Sequence, residues 1–296
     1  MIYRVLVLSL VVAASAGCSV KFIYNNLDRV ARMGISDYLD MNPEQRAYFA
    51  EEFAKVHRWH RQTQLPVYAQ LLESIPGLIA DGAEMAELEG LEAEMRGWAE
   101  DAIEQGLPMT AHILRSLTDE QLADLPARLE RSNKEIAEPE LNRELDEMQA
   151  LWAEEVEDAF KRFAGRLTAE QQAYLAALSV SYIPERELWA EYRRRWQADL
   201  LKLLHQRREL ADFDARFFAL ARSRESYYGT ELTAIFAHNE GLYRQIAVWF
   251  FNHLTDDQRR RLSERLEDIA TDFRELAAQP VDDDLACADC GASRGG

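Results

Sequence analysis

Apolar residues recur at steps of three and four along nearly the whole chain, and alternation with a period of two is hard to find. This spacing places the apolar side chains on one face of a helix. Between Pro108 and Tyr228 the helix breakers are one glycine and three prolines: Gly165, Pro126, Pro139 and Pro184. So few breakers favour long helices. The sequence therefore predicts an all-α fold, an elongated multi-helix bundle of helical hairpins with long helices.

Four segments share the pattern of a helix capping box: Met41–Gln45, Leu117–Gln121, Leu167–Gln171 and Leu254–Gln258. In each segment an Asn or Thr side chain can accept from a backbone N–H of the first turn, and the final Gln can reach back to the N–H of the cap residue. We expect a helix to begin in each segment. The boxes are 76, 50 and 87 residues apart, and this irregular spacing argues against a simple solenoid repeat.

The first 17 residues form an apolar leader that is followed by a cysteine. Arg4 supplies a positive n-region, residues 5–14 form an apolar core, and small residues precede Cys18. The leader resembles a bacterial lipoprotein signal, which implies cleavage between Gly17 and Cys18. It is too short to cross a bilayer as a helix, which takes about 20 apolar residues. The alternative is an ordinary cleaved signal peptide in which Cys18 is incidental.

Resemblance to bacterial lipoproteins implies diacylglycerol on Cys18 and usually a third acyl chain, such as palmitate, on its amine. Several acyl chains hold a protein on a membrane far more durably than one. In the familiar sorting pattern, an Asp after the cysteine retains a lipoprotein in the inner membrane, and this chain has Ser19 instead. We therefore expect a protein anchored to the outer membrane and facing the periplasm.

No Ser-rich or Pro-rich linker divides the chain after the leader. We expect a helical domain over residues 18–278, in one or two lobes, and a disordered acidic tail over residues 279–296. The tail contains Cys287 and Cys290, a Cys-x-x-Cys pair without the βαβ setting of redox enzymes. In an oxidising compartment a local disulfide is the favoured interpretation, and metal capture is the alternative.

The net charge of the chain is −18. Since Lys and Arg contacts to phosphate supply most non-specific affinity for nucleic acid, this charge argues against DNA or RNA as a partner. Arg193, Arg194 and Arg195 form a basic cluster, but acidic residues flank it. We interpret it as a solvated helix face.

The chain contains no Gly-x-Ser-x-Gly elbow, no phosphate-binding glycine loop and no His-Glu-x-x-His motif. We therefore expect a protein that is not an enzyme and carries no cofactor. His57 and His60 lie three residues apart on a predicted helix and can point the same way. They are either metal ligands, together with a carboxylate such as Glu51, or surface and interface histidines around Trp59. The sequence leaves any metal site unknown.

Two resemblances bear on the function. The four capping segments resemble the Leu-Thr-x-x-Gln signature of periplasmic stress chaperones of the Spy and CpxP type, which implies chaperone activity. A longer resemblance, to an uncharacterised family of proteobacterial lipoproteins, spans Cys18 to Ala278. It is carried by residues 22–28, 43–46, 254–259 and 272–276. It implies a lipid-anchored helical envelope protein and offers no catalytic residues.

These observations together predict a lipid-anchored envelope protein that is not an enzyme. We expect it to act as an interaction or scaffold protein with another envelope protein as its partner. The alternatives are a periplasmic folding or stress chaperone and a metal-binding envelope protein.

Overall fold

A computed structural model describes residues 20–139 and 142–279. Cys18, Cys287 and Cys290 lie outside the described residues, as do the predicted leader and almost all of the predicted tail. Within the described ranges the regular secondary structure is helical, without strands, and the all-α prediction is confirmed. The α-helices are α1 (Val20–Asn25), α2 (Leu27–Ser36), α3 (Pro43–Trp59), α4 (Leu65–Asp81), α5 (Met85–Arg115), α6 (Asp119–Ala137), α7 (Leu145–Ala164), α8 (Ala169–Ser179), α9 (Arg186–His205), α10 (Phe213–Arg222), α11 (Gly229–Asn252) and α12 (Asp256–Ala278).

All four predicted capping boxes are present, and they begin α3, α6, α8 and α12. In each box the Asn or Thr side chain accepts from the backbone N–H of the glutamine at 2.9–3.2 Å. The glutamine Oε1 accepts from the backbone N–H of the cap residue at 2.8–3.0 Å. Each box therefore satisfies two N–H groups that the first turn of a helix otherwise leaves unpaired.

The boxes are joined in pairs through their glutamines, which the sequence pattern did not suggest. Gln45 and Gln121 lie side by side, and the Nε2 of each donates to the Oε1 of the other, at 3.1 and 2.8 Å. Each Nε2 also donates to a backbone carbonyl two residues before the other cap. Gln45 donates to Ser116 at 3.2 Å, and Gln121 donates to Asp40 at 2.7 Å.

The second pair repeats these four contacts. Gln171 and Gln258 exchange Nε2–Oε1 hydrogen bonds of 2.9 and 2.8 Å. Gln171 donates to the carbonyl of His253 at 2.9 Å, and Gln258 donates to that of Arg166 at 2.8 Å. Both glutamine side chains are buried. Because the amides satisfy one another and four backbone groups, two helix starts can approach closely inside the protein.

Most of the helices fall into two sets of four, which we call the two halves. In each half the first and the last helix begin with the two boxes of one pair. The first half contains α3, α4, α5 and α6, and the second contains α8, α9, α11 and α12, with α10 inserted after α9. The helices α5 and α11 end at Arg115 and Asn252, each three residues before the cap of the next box. The two helices can therefore be compared at a fixed offset of 137 residues, the separation of Thr118 and Thr255.

The two halves exchange their most extensive contacts. Among the described elements, α4 of the first half packs most extensively on α12 of the second, and α9 of the second half packs most extensively on α6 of the first. Neither half therefore buries its apolar faces alone. The irregular spacing of the boxes argues against a solenoid. It gives no sign that a helix of each half packs on a helix of the other half.

The contact between α6 and α9 corrects one interpretation of the sequence. Arg193 donates from Nε to Oδ1 of the buried Asn133 at 2.9 Å, and Asn133 also donates to Gln197 at 2.6 Å. Arg194 forms a two-point ion pair with Glu130, at 2.9 and 3.1 Å. The arginine cluster is therefore not simply a solvated face, since two of its members hold α9 against α6.

We expect Gln171→Ala to lower the free energy of unfolding by about 3 kcal/mol, because it removes a capping contact and leaves buried amide and carbonyl groups unpaired. Urea unfolding followed by circular dichroism measures this change. The matched control is Gln172→Ala, whose exposed side chain should change stability by less than about 0.5 kcal/mol.

A double-mutant cycle tests whether the glutamines act as a pair. Combining Gln171→Ala with Gln258→Ala should cost less than the two single changes added together, by about 1 kcal/mol or more, because the second change removes a group already left unpaired. Strict additivity would contradict the pairing.

Candidate functional site

An apolar cleft of about 440 Å³ lies where the N-terminal helices meet α4, α5 and α12. Small-molecule sites generally occupy about 300–1,000 Å³, so the cleft is of ligand size. Six helices and the segment between α3 and α4 contribute its walls, through Leu27, Val30, Ala31, Phe53, Val56, His57, His60, Tyr68, Leu71, Leu72, Met95, Trp98, Ala99, Ala102, Phe163, Ile269 and Phe273.

No Asp, Glu, Lys or Arg side chain belongs to this lining. The wall on α12 is deeply buried, with Phe273 only 1% exposed, whereas Val30 on α2 is 50% exposed and marks the rim. The lining residues with polar side-chain nitrogen or oxygen atoms are His57, His60, Tyr68 and Trp98. The cleft is therefore an apolar space with a small polar edge.

A π-helical segment, His60–Gln64, joins α3 to α4 and places His60 at that polar edge. The backbone N–H of Leu65 donates to the carbonyl of His60, five residues earlier. Pro66 follows in the first turn of α4. Proline has no N–H to donate, and in a regular helix its ring clashes with the carbonyl four residues earlier. The wider turn lets the helix continue past Pro66, and such turns are frequent at functional sites.

His60 lies between two tyrosines. Its Nδ1 is 2.9 Å from the hydroxyl of Tyr24 on α1, and its Nε2 is 3.4 Å from the hydroxyl of Tyr68 on α4. A neutral imidazole has one donor and one acceptor nitrogen, so one tyrosine donates to the ring and the other accepts from it. His57 stacks near Tyr24, with ring centroids 4.6 Å apart, and its buried Nε2 has no hydrogen-bond partner among the described residues.

Burial keeps this polar edge uncharged. It lowers the pKa of His57 to about 4, and nearby Arg61 lowers it further, against a smaller opposing effect of Asp28. Burial, followed by the neighbouring His57, lowers the pKa of His60 to about 4. Burial also raises the pKa of Tyr68 to about 12 and moves that of Tyr24 well above its usual range. At neutral pH the four side chains are therefore neutral.

Helix α11 of the second half carries a larger residue than α5 at the position matched by the sequence offset. At the offset of 137 residues, Ala99 on α5 corresponds to Phe236 on α11. Phe236 packs against the Trp189 and Tyr228 rings, with centroids 5.9 and 5.3 Å apart, beside the buried Leu232. At this offset α5 has a methyl group, which lines the cleft, where α11 has a phenyl ring packed into an aromatic cluster.

The structure describes some of the site residues predicted from the sequence and leaves others outside its ranges. His57 and His60 do come together, as half-buried lining of the cleft, but Glu51 is not part of that lining. Across the described ranges, no group of three His, Cys, Asp or Glu side chains has the arrangement of a metal site. Lipidation of Cys18 and the pairing of Cys287 with Cys290 concern residues outside those ranges and stay predictions.

Sequence reasoning missed the cleft itself. Its lining comes from segments far apart in the chain, and an apolar residue at helical spacing has the same pattern whether it faces a core or a space. One usable signal was present: Pro66 six residues after His60, inside a continuous helical pattern, indicates a distorted turn at that point.

The fold and cleft define an all-helical protein with a ligand-sized apolar site. A family model described as a family of unknown function, DUF6279, matches residues 37–233. The chain belongs to this family, whose model spans about two thirds of its length. No curated protein and no solved structure matches the chain. In the described residues, none of the helices is both long enough and apolar enough to cross a membrane.

We expect the neutral histidines to make stability depend on pH. The pKa of His60 is about 4 in the folded protein and near 6.5 unfolded, so between these values the unfolded chain binds more protons. The contribution of neutral His60 to the free energy of unfolding is complete above pH 6.5 and is lost as the pH falls towards 4. His60→Gln should therefore reduce the loss of stability between pH 7 and pH 4.5 by about 2 kcal/mol.

Urea unfolding at the two pH values measures this effect, and the exposed His205→Gln is the control. A pH dependence that is the same in wild type and in His60→Gln would show that His60 is not held neutral.

Proposed function

We propose that this protein is a lipid-anchored component of the cell envelope that acts by binding an apolar ligand in its cleft and not by catalysis. The single observation that carries the binding function is the cleft of about 440 Å³ without a charged lining residue. The anchor rests on the leader that ends at Cys18. In this proposal the body faces the periplasm from the outer membrane.

The polar edge of the cleft supports binding over catalysis. General acid–base catalysis favours a group whose pKa is near the working pH. The pKa of His57 and of His60 is about 4, while that of Tyr68 is about 12. At neutral pH these groups are uncharged hydrogen-bonding partners. They suit the orientation of a ligand with one polar group at the end of an apolar body.

The lipid anchor has a direct test. Growth of an expressing bacterium with an alkyne-bearing fatty acid should label the wild-type protein, and Cys18→Ser should abolish the label, because the thiol is the predicted acceptor. Ser19→Ala is the matched control and should keep the label. Labelling of the Cys18→Ser protein, or none of the wild type, would contradict lipidation at Cys18.

Ligand binding is tested on residues 19–296, since the described core clusters are made of residues 20–279. An apolar fluorescent probe such as N-phenyl-1-naphthylamine should bind with one site per chain. Ala99→Phe should weaken binding about tenfold or more, because Ala99 lines the cleft and a phenyl ring at that position takes up part of its volume.

Ala93→Phe is the matched control, as Ala93 lies exposed on the same helix. It should leave probe affinity unchanged. Equal affinity of wild type and Ala99→Phe, with both proteins folded by circular dichroism, would show that the probe does not use the cleft.

A further inference from the structure

The rim of the cleft also belongs to an exposed apolar surface, which we call the outer face and define as Phe22, Val30 and Met33. Their exposed fractions are 60%, 50% and 65%. Val30 and Met33 are three residues apart on α2 and so lie on one side of that helix, while Phe22 lies on the preceding helix α1. Asn26, with φ −113° and ψ 18°, separates the two helices, and its carbonyl accepts from the backbone N–H groups of Arg29 and Val30 in the first turn of α2.

The charge of this segment differs from that of the rest of the protein. Residues 20–36 contain three basic residues and one acidic residue, whereas the whole chain has a net charge of −18. Arg29 is exposed beside Val30. Lys21 pairs with Asp272 and Glu275 on α12, and Arg32 pairs with Asp28. The contribution of this segment to binding an anionic bilayer therefore comes from Arg29, exposed beside an apolar side chain.

The outer face is also close to the proposed anchor. Val20, the first described residue, is buried against α12, in one apolar cluster with Ile269 and Phe273. Cys18 is two residues earlier, a reach of roughly 7 Å when the chain is extended. A lipid on Cys18 therefore holds α1 and α2 near the bilayer, and α2 is also part of the cleft wall.

We infer that the cleft binds one acyl chain of a bilayer phospholipid, which enters past α2 while the outer face rests on the membrane. Val30 supports this route because it both lines the cleft and lies exposed on the outer face. The lining without charged residues matches a hydrocarbon chain.

This inference rests on the proposed lipid anchor and apolar site, and it adds the ligand and its source. The test uses the full-length lipidated protein in native membranes, supplied with a phospholipid that carries a diazirine near the end of one acyl chain. After irradiation, mass spectrometry locates the crosslinks. We expect crosslinks both on Met33 of the outer face and on Met95 or Trp98 inside the cleft.

Ala99→Phe should reduce the crosslinks to Met95 and Trp98 about tenfold and leave those to Met33 unchanged, because the ring obstructs the cleft and not the outer face. Ala93→Phe should change neither set. Ala102→Leu is a second obstructing variant, with the same expected result if Ala99→Phe fails to fold.

The other outcomes are distinguishable. Crosslinks confined to Met33 would overturn the acyl-chain site and leave only membrane contact. A membrane-bound protein with no crosslinks would overturn the inference while the anchor stands, whereas loss of the protein from the membrane fraction would overturn the anchor itself. Cleft crosslinks from a diazirine-bearing free fatty acid but not from the phospholipid would overturn the bilayer as the source.

Discussion

The reciprocal glutamine pairs are the interactions on which the remaining structure depends. A helix start presents unpaired N–H groups, and burying two starts together is costly unless each group finds a partner. Here Gln45 pairs with Gln121, and Gln171 pairs with Gln258. Each glutamine accepts from the backbone N–H of its own cap residue and also donates to the amide of the other glutamine. The first pair joins the N-terminal ends of α3 and α6, and the second joins those of α8 and α12. The exchanged packing of α4 on α12 and of α9 on α6 is built on these two junctions.

The cleft results from a difference between two halves built alike. In the second half, Trp189, Tyr228 and Phe236 fill the space between α9 and α11. In the first half the corresponding helix carries Ala99, and α2 supplies a wall through Leu27, Val30 and Ala31. Among the described elements, α2 makes its main contacts only with α1 and α3, so this wall is the least supported part of the site. Such an element can yield to an entering ligand at small cost.

The sequence was sufficient for the helical class and for the four helix starts, because both depend on local patterns. It was not sufficient for the pairing of the boxes, since Gln45 and Gln121 are 76 residues apart and nothing local identifies the partner. Similarly, His57 and His60 could be placed on one helix face, but not in a cleft completed by Phe163 and Phe273. Apolar residues at helical spacing have the same sequence pattern whether they line a filled core or an open cleft. Only the three-dimensional arrangement of the lining residues separates the two.

The most direct measurement of the central claim is an experimental structure of the lipidated protein extracted from its membrane, at a resolution that shows ordered water. If the cleft is a preformed site for one acyl chain, linear density without branching should run from His57 along Met95 and Phe163. A cleft filled with ordered water, or closed by α2 packed onto α5, would contradict that claim.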